Sequence, residues 1–600
     1  MDKKNLIIPI LNVTGLIIII FYLNHLRLGK YPSIYLFVIG VLLCSSSLVM
    51  SYYYFPKYYV YSLFSLFLLS YCMLTFYNFR YDILGGEDIV GEYTIALETT
   101  VSERWPWELI FSGSGDRPGR YASCLSVTIL PAVLSKVMGI EMLSLFRYVM
   151  PVIGAILPLI VYILTRDVFD SEKLAILTAM LFTVGRLYLF SLSYMFREIL
   201  GYIFLFMALY SLMGLKNIPL TFILITGLVI SSAGHVAASS GYIVFGSYFM
   251  ASIIVYIFRK GKTPIFNLII SPIYLIYYVI LSTMWLQNFS SPKLMQLSTR
   301  VSTIIPLLTR VPDYIIQIIS TWNIFPAGSI YASGLPVSLI LTVWYYGYVL
   351  ITAFGIFYSV FRYMKDTKKI TLIVAGTSMF LLFLLSVLSP WNIPELQAHR
   401  VIAFPLLIPF LAITLRVPID LKGVLAETSL KLIKRFEKAL KSITYLWPLA
   451  LAYLLLSLPM NLNLVDHDRI LHYHNPSDVD PRVSVSYPNT NYGDITLSDW
   501  VRDFISENQT ITTDFRGSLI TYLAGHVNRH SKSTPSFNLS RSNFILLHEF
   551  FIKDGLWRSG QSRLGLYPSR DMNFADAVNF GDLVYSSGKF FLITRPPLNT

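Results

Sequence analysis

Charged residues are scarce in this chain. They make up 14% of its 600 residues, whereas a typical soluble domain has about 25%. Apolar residues supply 55%, and the mean hydropathy is +0.59. Because the shortage of charge extends along most of the length, the composition excludes an ordinary soluble protein and places the chain among polytopic membrane proteins.

Cysteines are also few, and their positions exclude two further classes of protein. Cys44 and Cys72 lie inside apolar stretches, and Cys124 stands alone. This pattern contains neither a disulfide framework nor a CxxC metal motif. The N-terminal "MDKKNLIIPILNVTGLIIIIFYL" has a basic start but no small-residue cleavage site, so we expect a retained first span rather than a signal peptide.

Long apolar runs are what the sequence has in abundance. Crossing a bilayer as a helix takes about 20 mostly apolar residues. Thirteen segments qualify, at approximately residues 6–24, 33–54, 59–79, 143–165, 172–191, 198–215, 219–235, 238–258, 264–285, 336–361, 370–389, 401–416 and 444–462. The fold class predicted is therefore mainly α, a polytopic helical membrane protein with about 13 transmembrane helices. Segment 121–141 contains Pro131 and Lys136, and we expect it to be a helix lying in the membrane interface.

The excess of positive charge, +13 in total, is explained by topology. With a cytoplasmic N-terminus, the short basic loops between spans fall on the cytoplasmic side, as the positive-inside rule requires. The basic residues form no patch interleaved with aromatic residues and accompany no recognised motif, so we expect no nucleic-acid partner.

The same topology divides the chain into three parts. Residues 1–58 form an N-terminal two-span extension, and residues 59–462 form a transmembrane core that includes an exterior loop at 80–142. Residues 463–600 are polar, and their pattern predicts an extracytoplasmic mixed α/β domain. We expect a multi-pass protein of the cell membrane.

An acidic cluster, "YDILGGEDIVGEY" at residues 81–93, follows the third span directly. If a helix begins after the two glycines, Asp88 and Glu92 are four residues apart and share a face, with Glu87 beside them. Carboxylates held together raise one another's pKa, which prepares a general base. The alternative is an acidic first turn that complements the helix dipole and is otherwise solvated.

Basic and histidine side chains lie at the predicted exterior ends of other spans. They are Arg197 in "SYMFREILGY", His235 in "SSAGHVAASSGY", and His399 and Arg400 in "ELQAHRVIAF". Ionisable residues at membrane depth are often functional, and Arg and His are suitable donors for a phosphate. The alternatives are a local Arg197–Glu198 ion pair, a histidine that only packs helices, and headgroup anchoring by residues 399–400.

In order and membrane side, these motifs resemble those of the GT-C class of membrane glycosyltransferases, and in particular a group of archaeal multi-spanning membrane proteins. "GGEDIVGEYTIA" is similar to the class's exterior acidic motif, and "YASCLSVTILPAVLSKVMGIE" to the interfacial helix after it. "SSAGHVAASSGY" is similar to its histidine-containing span end and "AHRVIAF" to its late arginine. The resemblance covers roughly residues 60–460, with the first two spans as an addition.

The resemblance implies an inverting glycosyltransferase. It would move a sugar from a polyprenyl-phosphate-linked donor to an extracytoplasmic acceptor, which could be a glycan, a lipid or a protein. Asp88 would be the general base, and Glu87 or Glu92 would orient it; Asp88 and Glu92 could also hold a divalent metal ion, Mg²⁺ or Mn²⁺. The residues expected to bind the donor phosphate are Arg197, His235, His399 and Arg400.

Two other functions stay open at this point. A membrane transporter usually places ionisable groups near the bilayer midplane in two matching halves, whereas here they gather at span ends and no repeat is visible. A non-catalytic, GT-C-like structural or assembly protein is the second alternative.

Overall fold

The computed structural model describes residues 3–27, 34–54, 59–80, 87–106, 121–184, 196–215, 217–233, 235–258, 265–289, 351–360, 363 and 366–388, together with six strands between residues 511 and 594. The described helices are α1 (Lys3–Arg27), α2 (Ile34–Tyr54), α3 (Tyr59–Arg80), α4 (Glu87–Ser102), α5 (Ile129–Met138), α6 (Met142–Phe169), α7 (Glu172–Thr183), α8 (Phe196–Tyr210), α9 (Ile218–Ser232), α10 (Val236–Phe258), α11 (Ile265–Phe289), α12 (Ile351–Val360) and α13 (Thr367–Leu388).

The helices follow the apolar segments of the sequence. Among the described residues, four helices have the length and apolar composition to cross a membrane: Met142–Phe169, Phe196–Met213, Ala237–Ile257 and Leu268–Asn288. Shorter apolar helices overlap the predicted spans 6–24, 33–54, 59–79, 172–191, 219–235 and 336–361. Helix α13 covers most of the predicted span 370–389. This architecture is that of a helical membrane protein with several spans. The predicted spans at 401–416 and 444–462 lie outside the described residues.

Helix α6 is irregular at its start. It contains a π-helical turn at Leu145–Val149 and prolines at positions 151 and 158. A proline lacks the N–H that an α-helix uses, so regular pairing is interrupted at these positions. The helix ends at Asp170 in the left-handed conformation, and the Ser171 hydroxyl then caps α7 by accepting from the N–H of Leu174 at 3.3 Å.

The first two helices pack closely against each other and against the core. A Cβ atom added at Gly15 would lie 2.6 Å from the carbonyl oxygen of Gly40, so the two backbones approach as small residues allow in membrane helices. Asn12 of α1 donates to Ser65 of α3, and α2 also contacts α7. The N-terminal extension is therefore integrated with the transmembrane core.

The expected interfacial helix is shorter than segment 121–141. Much of residues 121–128 forms turns, and α5 covers Ile129–Met138. Gly139 follows the helix in the left-handed conformation, with a φ of 64°. One face of α5 is exposed and apolar, with Val133 at 51% and Val137 at 78% exposure. Such a face suits a helix in the membrane interface, and that location stays a prediction.

The bundle gathers the connecting segments at two ends. Residues from three predicted exterior segments, at 80–142, 191–198 and 235–238, meet at one end, where the candidate site lies. At the other end, where the predicted cytoplasmic turns meet, Lys369 lies 3.4 Å from Asp170. A polar cavity of about 410 Å³ also opens there, lined in part by Arg166, Tyr210 and Lys368. Which end faces the cytoplasm stays a prediction.

The C-terminal tail contains β-structure. The strands are β1 (Ile511–Thr513), β2 (Phe544–His548), β3 (Leu556–Trp557), β4 (Tyr567–Pro568), β5 (Leu583–Ser586) and β6 (Phe590–Thr594). Four of them form a mixed sheet in the order β1-β2-β6-β5, in which β1 and β2 are parallel, and β3 and β4 pair separately. The α/β domain predicted at residues 463–600 is described only in these strands, so its mixed character and its side of the membrane stay predictions.

Candidate functional site

Helix α4 carries the acidic motif into the bundle. It begins at Glu87, directly after the two glycines, as the sequence predicts. Asp88 lies in its first turn, and Glu92 lies one turn later on the same side of the helix. Glu92 is completely buried, at 0% exposure. A carboxylate in this environment must be paired, because an isolated buried charge is very costly.

Glu92 is paired through both of its oxygens. Its Oε1 accepts a hydrogen bond from Nη1 of Arg197, and its Oε2 accepts from the backbone N–H of Phe196 at 2.8 Å. Phe196 is the first residue of α8, so its N–H has no partner within the helix. Glu92 therefore caps α8 and neutralises the arginine in the following position.

Arg197 is itself buried, at 3% exposure, and its other side faces aromatic rings. Its Nε donates to Nδ1 of His235 at 3.1 Å. The guanidinium carbon lies 4.6 Å from the centre of the Tyr121 ring, a cation–π contact. Tyr121 also lies nearly parallel to the imidazole of His235, with ring centres 6.2 Å apart.

The histidine occupies the turn between α9 and α10. Because Arg197 is a donor, Nδ1 of His235 must be the acceptor in this bond, so the proton of the neutral ring is on Nε2. The side chain is 11% exposed. In this tautomer Nε2–H is the hydrogen-bond donor of the ring.

A second buried carboxylate lies beside the histidine. Oε2 of Glu198 accepts from the N–H of Ala237 at 2.7 Å, and its Oε1 lies 3.9 Å from Nδ1 of His235. The sequence suggested a local ion pair between Arg197 and Glu198. In the structure, Arg197 donates to Glu92 and His235, whereas Glu198 accepts from the start of α10.

Two glycines make these close approaches feasible. A Cβ atom at Gly91 would lie 2.5 Å from the ring of Tyr121, and a Cβ at Gly201 would lie 2.5 Å from Oγ of Ser232. Both distances are shorter than real Cβ contacts. Gly91 therefore lets Tyr121 pack on α4, and Gly201 lets the α9–α10 turn pack on α8.

The segment that carries Tyr121 is fixed from two sides. Trp105 donates from Nε1 to the carbonyl of Ala122 at 2.8 Å, and Trp285 donates to the carbonyl of Ser123 at 3.1 Å. On the other side, the N–H of Leu125 donates to the carbonyl of Ile230, in the last turn of α9, at 2.9 Å. That carbonyl has no acceptor role within its helix, so the contact satisfies both partners.

An exposed ion pair joins the end of α4 to α5. Nζ of Lys136 lies 2.5 Å from Oε1 of Glu103. This hydrogen bond, with the charge of the lysine, lowers the pKa of the Glu103 carboxyl below its usual value. The pair lies in solvent and contributes to the local placement of α5 more than to the stability of the whole fold.

Three of the predicted site residues meet in this cluster: Glu92, Arg197 and His235. Glu87 and Asp88 lie in the first turn of the same helix as Glu92, and their side chains are outside the described part of the structure. His399 and Arg400 also lie outside it. Tyr121 and the role of Glu198 at α10 were not predicted from the sequence, because each depends on a contact with a distant segment.

The predicted metal site has no counterpart in the described part of the chain, where no three His, Cys, Asp or Glu side chains gather as ligands. The side chain of Asp88, one of the two predicted ligands, is not among these residues. A divalent ion at Asp88 and Glu92 therefore stays a prediction.

Comparison with known proteins gives distant structural similarity and no match in sequence. No protein-family model matches the chain, and no curated protein matches it. A crystal structure of ArnT from Cupriavidus metallidurans bound to undecaprenyl phosphate is similar over 90% of this chain and 98% of that chain, with 10% sequence identity and a TM-score of 0.45. At that distance the similarity assigns neither residues nor a reaction.

Proposed function

We propose that the chain is an inverting, GT-C-type glycosyltransferase that moves a sugar from a polyprenyl-phosphate-linked donor to an extracytoplasmic acceptor. The observation that carries the proposal is the buried Glu92–Arg197–His235 cluster, formed at one end of a bundle of apolar helices. A bundle end is where the headgroup of a lipid-linked donor lies while its chain stays in the hydrocarbon. Buried ionisable groups at such a position are costly, and a functional role explains their presence.

In this proposal, the donor phosphate binds next to the cluster. We assign the donation of a hydrogen bond to the phosphate to Nε2–H of His235. The charge of Arg197 is already balanced by Glu92, so a phosphate needs an additional cation, and we assign that role to Arg400 with His399 beside it. These groups would stabilise the charge that develops on the leaving phosphate.

Asp88 is the proposed general base. It removes the proton from the acceptor hydroxyl, and the oxygen attacks the anomeric carbon of the sugar as the bond to the phosphate oxygen breaks. The polyprenyl phosphate leaves with the electron pair of that bond, and the single displacement inverts the anomeric configuration. Glu92 is a poorer base, since both of its oxygens accept hydrogen bonds in the cluster. We assign it the positioning of Arg197.

We propose that the reaction proceeds without the divalent ion that the sequence suggested at Asp88 and Glu92. The expected Mg²⁺ or Mn²⁺ would need Glu92 as a ligand. Both carboxylate oxygens of Glu92 already accept hydrogen bonds, one from the Phe196 N–H and one from the guanidinium of Arg197. The test is transfer in the presence of a chelator, which should leave the rate unchanged. A rate restored by Mg²⁺ or Mn²⁺ would contradict this assignment.

The function is tested with the purified chain in nanodiscs and a set of polyprenyl-phosphate sugars. Mass spectrometry would follow both the glycosylated acceptor and the released polyprenyl phosphate. Asp88→Asn should lower the rate by about 10²- to 10⁴-fold, the usual contribution of a general base. The exposed Glu141, whose side chain makes no cap hydrogen bond, provides the matched control Glu141→Gln, which should be fully active.

Each alternative function predicts a different result in this experiment. A transporter would move the intact donor across the membrane without releasing polyprenyl phosphate. A structural or assembly protein would show neither transfer nor flux and would tolerate Asp88→Asn. Full activity in Asp88→Asn would retain the enzyme and exclude the proposed base.

A further inference from the structure

Glu198 is a buried carboxylate that the proposed reaction does not use. It is 3% exposed, and its neighbour Arg197 is directed to Glu92. A buried carboxylate costs several kcal/mol unless hydrogen bonds or opposite charges compensate. Its position therefore requires a reason, and two of its contacts, both with the α9–α10 turn, provide one.

The first contact is with the beginning of α10. A helix start leaves backbone N–H groups without partners, and Ser, Thr, Asp or Asn usually supplies the acceptor from the cap position. Here His235 precedes the first helical residue, and its Nδ1 accepts from Arg197. Glu198, on a different helix, accepts from the N–H of Ala237 at 2.7 Å instead. Its negative charge also suits the positive end of the helix dipole.

The second contact concerns the imidazole itself. Oε1 of Glu198 lies 3.9 Å from Nδ1 of His235, the atom that accepts from Arg197. The ring is thereby bounded by Glu198 on one side and by the stacked ring of Tyr121 on another. The hydrogen bond that Nδ1 accepts from Arg197 selects one ring orientation, in which Nε2–H is directed away from Arg197.

We infer that Glu198 is the positioning residue of His235: it fixes the start of α10 to α8 so that the imidazole presents Nε2–H to the substrate. As far as it concerns substrate, this inference rests on the proposed function. Its structural part, the restraint of the imidazole, does not. The two parts can be measured separately.

The structural part is tested by the reaction of His235 with diethyl pyrocarbonate at fixed pH, followed by peptide mass spectrometry. Glu198→Gln and Glu198→Ala should each increase the modification rate several-fold, since the ring loses a restraint. The matched control Glu141→Gln should match the wild type. An unchanged rate in both Glu198 variants would overturn the inference, whether or not the protein transfers sugar.

The functional part is tested by a double-mutant cycle in the transfer assay. Glu198→Gln should lower kcat/KM by about 10-fold or more, the effect usual for a residue that orients a functional histidine. In a His235→Asn background the same substitution should change kcat/KM by less than about 2-fold, because the residue it positions is gone. Equal losses in the two backgrounds would show a general structural role and overturn the inference. Wild type without transfer from any donor would instead count against the proposed function, and the labelling result would still decide the role of Glu198.

Discussion

The Glu92–Arg197 pair makes a quantitative prediction about stability. Replacing Arg197 with Met leaves the Glu92 carboxylate buried and removes the hydrogen bond and the positive charge that Arg197 supplies. Replacing Glu92 with Met leaves a buried guanidinium and removes the acceptor of that N–H. Removal of one partner from a buried ion pair costs about 3–5 kcal/mol, so each single variant should be destabilised by about that amount.

The double variant should be more stable than either single one. With Met at both positions, neither charge is buried, and two apolar side chains of similar length fill the space. The N–H of Phe196 then has no acceptor, which costs about 1–3 kcal/mol. The double-mutant cycle therefore predicts a large favourable coupling between positions 92 and 197, although the double variant should have no transfer activity.

The measurement is unfolding in mixed micelles with increasing SDS, followed by tryptophan fluorescence, for the wild type and the three variants. The same Met replacements at the exposed pair of Glu103 and Lys136 are the control, and they should leave the stability of the whole protein unchanged. Single variants within about 0.5 kcal/mol of the wild type, as is usual for surface positions, would refute a buried pair. A double variant destabilised by the sum of the single effects would refute the coupling.

Other consequences of the geometry can be measured in the same preparation. Gly91→Ala should displace Tyr121 and destabilise the protein by about 1–3 kcal/mol, as overpacking does. The control is Gly246→Ala, whose added methyl group would meet no atom within 4 Å, so it should be neutral or slightly stabilising. Equal stability of the two variants in the SDS titration would contradict the close contact between Gly91 and Tyr121. For the pair of Glu103 and Lys136, the pKa of the carboxyl is lowered in the folded protein, so its contribution is full above the ordinary Glu pKa of 4.5 and is lost as the pH falls through the lowered value. Above pH 4.5, hydrogen exchange of α5 should therefore be slower in the wild type than in Glu103→Gln, and this difference should disappear as the pH falls through the lowered pKa. Identical exchange in both proteins at neutral pH would argue against the pair.

Much of the transmembrane architecture could be predicted from the sequence, because a bilayer sets the length of each apolar segment. The predicted spans 33–54 and 59–79 correspond to α2 and α3 within a residue or so at each end. The helix start at Glu87 was also predictable, since two glycines precede it. By contrast, the span predicted at 172–191 is described as helix as far as Thr183, and apolar composition alone gave no sign of that boundary.

The site was predictable in its residue types and less so in its contacts. Arg197 and His235 were identified because ionisable groups at span ends are conspicuous in an apolar sequence. The partner of Arg197 was not identified: sequence proximity favours Glu198, whereas the structure pairs it with Glu92, 105 positions away. Tyr121 gives no local signal, because its contact with the cluster depends on how closely its segment approaches α4. Such contacts are determined by tertiary packing, which periodicity and spacing do not encode.

We propose that this chain transfers a sugar at the bundle end that carries the buried cluster. Sealed proteoliposomes can test the side of transfer if they contain the protein in a known orientation, a labelled polyprenyl-phosphate sugar and a soluble acceptor on one side at a time. Labelled product and free polyprenyl phosphate should form in equal amounts when the acceptor is on the side of the Glu92–Arg197–His235 cluster, and no product should form when it is on the other side. Label that crosses the membrane with its phosphate bond intact, or product formed on the opposite side, would contradict it.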